Sequence, residues 1–160
     1  MNEQESIKIE SPERARLREL EMEGKFLFHG SGYKIDRLKP RQAHNYPTNS
    51  KEEKIPDDKP AVFATPYADT AIFMAVINKP NAPKGSRSGF SHNSNGKHEY
   101  RATQGTIEQI HNAKGYVYVF NKEKFKMRSP AEGLSYKAVE PVEVVEVSEA
   151  DLPDITIKDF

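Results

Sequence analysis

The chain contains no cysteine. That excludes disulfide staples, thiol nucleophiles and every cysteine-ligated zinc site. Nor does it contain an apolar run near the roughly 18 residues of a membrane span. Its polar, acidic N-terminus is not read as a signal peptide. It lacks charge of either sign in excess, since Lys plus Arg and Asp plus Glu are both 24. An overall basic field for nucleic acid is therefore absent, while a local patch stays open. No GxGxxG, GxxxxGK[ST] or GxSxG is present, so the usual phosphate cradles and the nucleophile elbow are missing. His29, His44, His92, His98 and His111 include no i, i+4 pair on a convincing helix, which argues against a metal site. These absences lead us to expect a soluble, cytoplasmic protein with neither metal nor membrane partner.

What is present describes a small domain with a modest core. In 160 residues, 36% are hydrophobic and 30% charged, and the mean hydropathy is −0.80. Such a balance predicts a folded chain with long polar loops rather than a disordered one. Ser11-Pro12-Glu13 is a helix start, with Ser as N-cap and Pro at the first helical position. Gly24 is placed to end that helix. We therefore divide the chain into a helical lead-in, 1–24, and one domain, 25–160.

Phe26-Leu27-Phe28 predicts a short buried strand that delivers a His29-Gly30-Ser31 turn. Residues 41–59 and 79–98 are polar and rich in turn residues, and both are expected to be long mobile loops. Ala61 to Thr65 predicts a second buried strand. Thr65-Pro66 then opens a buried helix carrying Ala68, Ala71, Ile72, Ala75 and Val76 at helical spacing. An edge strand is expected near Tyr100 to Thr103, and a short helix over Gly105 to Ala113, closed by Gly115. Tyr116 to Phe120 is the strongest strand, covered on both faces. Val142, Val144, Val145 and Val147 break strict alternation, which predicts burial on both faces or a β-bulge. Ile155 and Ile157 alternate in a possible last strand. With no βαβ rhythm, the class is α+β, with roughly five to seven short strands and two or three short helices.

Order then gives individually weak residues a common meaning. Singly, Phe63 and Phe73 read as core, Glu132 as a surface carboxylate in a turn, and His29 as a hairpin corner. Together, His29-Gly30-Ser31, then Val62-Phe63-Ala64 leading into a helix with Phe73, then Glu132-Gly133-Leu134-Ser135-Tyr136, resemble the ADP-ribosyltransferase family. The similar branch is the His-Tyr-Glu one, shared by diphtheria-toxin-like enzymes and poly-ADP-ribose polymerases, and the late Glu fits its small bacterial members best.

The resemblance implies two small, mostly antiparallel sheets forming a cleft, with NAD bound as a substrate. It implies that His29 binds an NAD ribose, that the Gly30 backbone holds the nicotinamide amide, and that Ser31 completes the tripeptide. Phe63 matches the second strand. Phe73 stands where a Tyr usually stacks on nicotinamide, and Tyr67 is the alternative ring. Glu132 would stabilise the oxocarbenium-like transition state, with Glu140 and Glu143 as competing candidates. The implied activity is ADP-ribosyl transfer or NAD hydrolysis, the acceptor being a protein, a nucleic acid, a small molecule or water. Two alternatives are an NAD-dependent RNA 2′-phosphotransferase, for which only Arg37 and Arg41 are near, and a non-catalytic interaction module of a phage or mobile element.

Overall fold

A computed structural model describes residues 10–35, 38–45, 55–93, 95 and 97–159 of the chain. The class is α+β, built on helices α1 (Pro12–Met22), α2 (Ala68–Val76) and α3 (Gln104–Gln109). The strands are β1 (Phe26–Ser31), β2 (Arg41–Asn45), β3 (Ile55–Ala64), β4 (Ser88–His92) and β5 (His98–Ala102). They continue as β6 (Lys114–Asn121), β7 (Lys126–Ser129), β8 (Glu132–Ser135), β9 (Glu143–Ser148) and β10 (Thr156–Ile157). They form three small sheets, ordered β1-β6-β9, β10-β5-β4 and β2-β3-β8-β7. Every pairing is antiparallel except β10 with β5. Among the described residues no helix is long and apolar enough to cross a membrane.

The Tyr116–Phe120 segment is the spine. Its strand, β6, is the centre of its sheet and is covered on both sides. Val117 and Val119 enter a core shared with α1 and α2, while Tyr118 and Phe120 enter a second cluster with Leu38, Val62 and Val139. α2 lies directly on this sheet because two glycines let it. A Cβ on Gly30 would stand 2.0 Å from the Ala71 carbonyl oxygen, and one on Gly115 would stand 1.9 Å from that of Ala75. Gly115 therefore serves helix–sheet contact in β6 rather than closing α3.

Helix α1 starts as expected: the Ser11 hydroxyl accepts from the Arg14 amide at 3.2 Å, and Gly24 follows the helix at φ 72°. Its narrow apolar face, Leu17 and Leu20, is buried in the main core. The start of α2 differs from expectation. Thr65 does not cap it; its hydroxyl accepts from the Tyr67 amide at 3.2 Å. The cap comes from another helix, with the Glu21 carboxylate accepting from the Ala68 amide at 2.8 Å. Burial raises the Glu21 pKa above its ordinary value, partly offset by that hydrogen bond.

The described residues of both expected long loops include paired strands; residues 46–54 of the first and 94 and 96 of the second lie outside the described residues. In the first, β2 pairs with the early part of β3, while β8 pairs only with Val62 to Ala64. Pro56 and Pro60 thus fall in the half of β3 that has one described neighbour, where a missing N–H is tolerated. In the second, β4 pairs with β5, which makes β5 the centre of its sheet rather than an edge.

The valine segment also corrects the expectation. The β6–β9 register runs without a shift from Val119↔Glu143 to Lys114↔Ser148. Val145 and Val147 face inward, and Val142 and Val144 are simply exposed.

Candidate functional site

The β1-β6-β9 and β2-β3-β8-β7 sheets meet at one backbone bridge. The Phe28 amide donates to Thr65 O at 2.7 Å, and the Thr65 amide donates to Phe28 O at 2.8 Å. A cavity of about 260 Å³ opens at this junction. β1 contributes His29 and Gly30, and β3 contributes Phe63 and Ala64. α2 adds Thr70 and Met74, β4 adds Phe90 and His92, and β8 adds Glu132. Residues remote in sequence converge because α2 and the β7–β8 hairpin both pack beside the bridge.

His29 stands within its strand rather than in a turn beyond it, since Gly30 and Ser31 continue the pairing with Val117 and Tyr116. Its Nδ1 lies 2.6 Å from Phe63 O. A carbonyl can only accept, so Nδ1 carries the proton, and in the neutral ring Nε2 is the acceptor atom. That bond ties β1 to β3 at the rim between two cavities. The second cavity, about 410 Å³, is lined by His29 and Phe63 again, with Ser31, Tyr33 and Lys39 among its other walls. Ser31 therefore faces the second space; its hydroxyl accepts from the Tyr33 amide at 3.0 Å.

Glu132 is the first residue of β8, not a turn residue. Arg128 of β7 donates from Nε to Glu132 Oε1 at 3.0 Å and from a terminal nitrogen to the same oxygen. The Arg128 guanidinium also lies 5.6 Å from the centre of the Phe63 ring. Of the competing carboxylates, Glu140 is exposed outside the cavity lining. Glu143 is engaged elsewhere by Arg16 at 2.8 and 3.1 Å, which holds its carboxyl below the ordinary range.

Of the expected stacking rings, neither lines the cavity. Phe73 is buried, only 2% exposed, and packs on Tyr100 at 5.3 Å and edge-on to Phe90 at 6.0 Å between ring centres. Tyr67 packs instead against His92 at 4.8 Å and His98 at 4.2 Å. Phe90, which is 38% exposed, lines the cavity together with Phe28 and Phe63. Its position inside a glycine- and serine-rich stretch hid it; only pairing with Tyr100 across the β4–β5 hairpin brings it here.

The hairpin also supplies a polar chain. His92 Nε2 lies 2.8 Å from Thr70 Oγ1, and Thr70 Oγ1 lies 2.8 Å from the Tyr100 hydroxyl. Burial pushes the Tyr100 phenol up to about 12, so it stays protonated. Burial first, then the neighbouring His98, lowers the His92 pKa and favours the neutral ring. Thr70, Phe90, His92 and Arg128 carried no motif; a hydroxyl among the apolar residues of a buried helix was the one available signal, at Thr70.

Arg41 takes part through its backbone in β2, and Arg37 lies outside the described residues. Among the described residues, no group of three or more His, Asp or Glu is arranged to hold a metal ion. No protein-family model, curated protein or solved structure matches the chain.

Proposed function

We propose that the chain is an NAD-consuming enzyme that cleaves the bond between nicotinamide and ribose and passes ADP-ribose to an acceptor. The observation that carries this reading is that His29, Gly30 and Glu132, singled out from the sequence by their order alone, line one cavity. Two spaces flank His29 and Phe63, which suits an extended two-part ligand. His29 Nε2 would accept from a ribose hydroxyl, and the exposed Phe90 face would take the nicotinamide ring in place of Phe73 or Tyr67.

Glu132 supplies the electrostatic part. As the glycosidic bond breaks, its electrons pass to the pyridinium nitrogen and positive charge grows on the ribose. A carboxylate held in place by Arg128 stabilises that charge without having to reorganise. Ground-state NAD has no such charge at the reacting carbon, so the carboxylate acts on the transition state more than on binding.

The test is calorimetric NAD affinity together with nicotinamide release for the wild type, Glu132→Gln and His29→Ala. The expected result is NAD turnover by the wild type, a rate loss of about 10²–10³-fold in Glu132→Gln at nearly unchanged affinity, and weakened affinity in His29→Ala. Wild-type protein that neither binds nor consumes NAD would overturn the reading.

A further inference from the structure

Thr70 is 1% exposed, yet it lines the cavity. A threonine at a buried helix position is costly unless its hydroxyl is satisfied. Here the oxygen has two partners at 2.8 Å, His92 and Tyr100. The Tyr100 phenol is buried and protonated, so its hydrogen needs an acceptor, and Thr70 Oγ1 provides it. Thr70 then donates its own hydrogen to His92 Nε2, which fixes the neutral His92 ring with its proton on Nδ1. The order is Tyr100 to Thr70 to His92. One lone pair of Thr70 is left over, at a residue that forms part of the cavity wall beside His92.

We propose that Thr70 and His92 act as a proton-accepting pair, and that the acceptor of the transferred group is therefore one that must give up a proton, such as the hydroxyl of water or an alcohol, rather than a carboxylate. This rests on the ADP-ribosyl-transfer reading above and names the acceptor class for that same site. An incoming hydroxyl donates to Thr70 Oγ1. As its oxygen bonds to the anomeric carbon, the glycosidic bond breaks and nicotinamide leaves with the electron pair. The hydroxyl proton passes to Thr70, and the original Thr70 proton passes to His92 Nε2. The pair ends as a neutral threonine and an imidazolium, and Tyr100 keeps its proton throughout. A carboxylate acceptor arrives already ionised and would need no such pair.

The structure supports the assignment of roles. His92 is held by rings on three sides, with Tyr67 at 4.8 Å, His98 at 4.6 Å and Phe90 at 5.3 Å between ring centres. A base so packed keeps the orientation that relay through one hydroxyl requires. The lowered His92 pKa keeps the ring able to accept a proton near neutral pH.

The experiment compares NAD hydrolysis by the wild type, Thr70→Val, Thr70→Ser and His92→Gln, each with and without sodium azide. Azide is an anionic nucleophile from which no proton need be removed. We expect Thr70→Val and His92→Gln to hydrolyse NAD about 10²-fold more slowly, to keep NAD affinity by calorimetry, and to recover rate with azide as ADP-ribosyl azide forms. Thr70→Ser, which keeps a hydroxyl, should recover most of the rate that Thr70→Val loses. If Thr70→Val does not fold by circular dichroism, His92→Gln carries the test alone. Wild-type hydrolysis with unaffected variants, or slow variants that azide does not rescue, would overturn this proposal and leave the NAD reading standing. Wild type that does not bind or consume NAD would overturn both.

Discussion

Two parts of the lining of the first cavity are held by different forces. On one side, Thr70 stands on α2 and His92 on β4, packed among the rings of Phe73, Phe90 and Tyr100, with Thr70, Phe73 and Tyr100 buried. On the other, Glu132 stands on the short β7–β8 hairpin and is positioned by an ion pair whose partners are 37% and 35% exposed. Burial fixes the first wall and charge fixes the second. An exposed ion pair adds about 0–1 kcal/mol to stability, whereas overpacking a close helix–sheet contact disrupts the fold itself. Overpacking beneath α2 should therefore damage structure, whereas neutralising Glu132 on the hairpin should damage chemistry alone.

The sharpest way to break this contrast lies at the glycines beneath α2. Gly30→Ala and Gly115→Ala place a methyl within 2.0 Å and 1.9 Å of helix backbone atoms, which have nowhere to move. Each should cost more than about 4 kcal/mol, read as a collapse of the denaturation midpoint. A loss under about 1 kcal/mol would show that α2 is free to lift from the sheet. Glu132→Gln comes next and should split the other way. Its stability should change by less than about 1 kcal/mol, while the chemical step slows by roughly 3–4 kcal/mol. Equal losses in melting temperature and in rate would mean the hairpin wall is structural after all.

A smaller effect tests the N-cap of α1. Ser11→Ala removes the hydroxyl that accepts from Arg14 and donates to the buried Asp151 carboxylate. It should destabilise by about 1–2 kcal/mol, measured by urea unfolding.

The smallest effect is a slope in pH. The His92 ring sits near His98, Tyr67 and, through Thr70, Tyr100, with His29 and Glu132 elsewhere around the cavity. Its folded pKa lies below the ordinary 6.5. Below pH 6.5 the unfolded chain therefore binds more protons than the folded one, and stability rises with pH through that window. The contribution is complete above about pH 6.5 and is lost as pH falls toward the folded value. His92→Gln should flatten that part of the stability profile; an unchanged profile would place the titrating group elsewhere.

Local chemistry determined several parts of this protein. Ser11-Pro12 can only start a helix well, and five consecutive β-prone residues at Tyr116 to Phe120 gain most when buried on both faces. Those signals lie within a few neighbouring residues, so they survive without knowledge of the rest of the chain. The order of His29, Phe63 and Glu132 was equally legible, because each belongs to a short motif that can be read from its immediate neighbours. Tertiary structure decided what those residues meet. Polar strands such as β2, β4 and β5 form because a partner strand satisfies their backbones, which composition does not reveal. Phe73 and Phe90 offer the same ring, yet α2 turns one into the core while the hairpin turns the other to the cavity. The Thr70, His92 and Tyr100 chain joins α2, β4 and β5, and only the packing of those elements could bring the three polar atoms within hydrogen-bond reach.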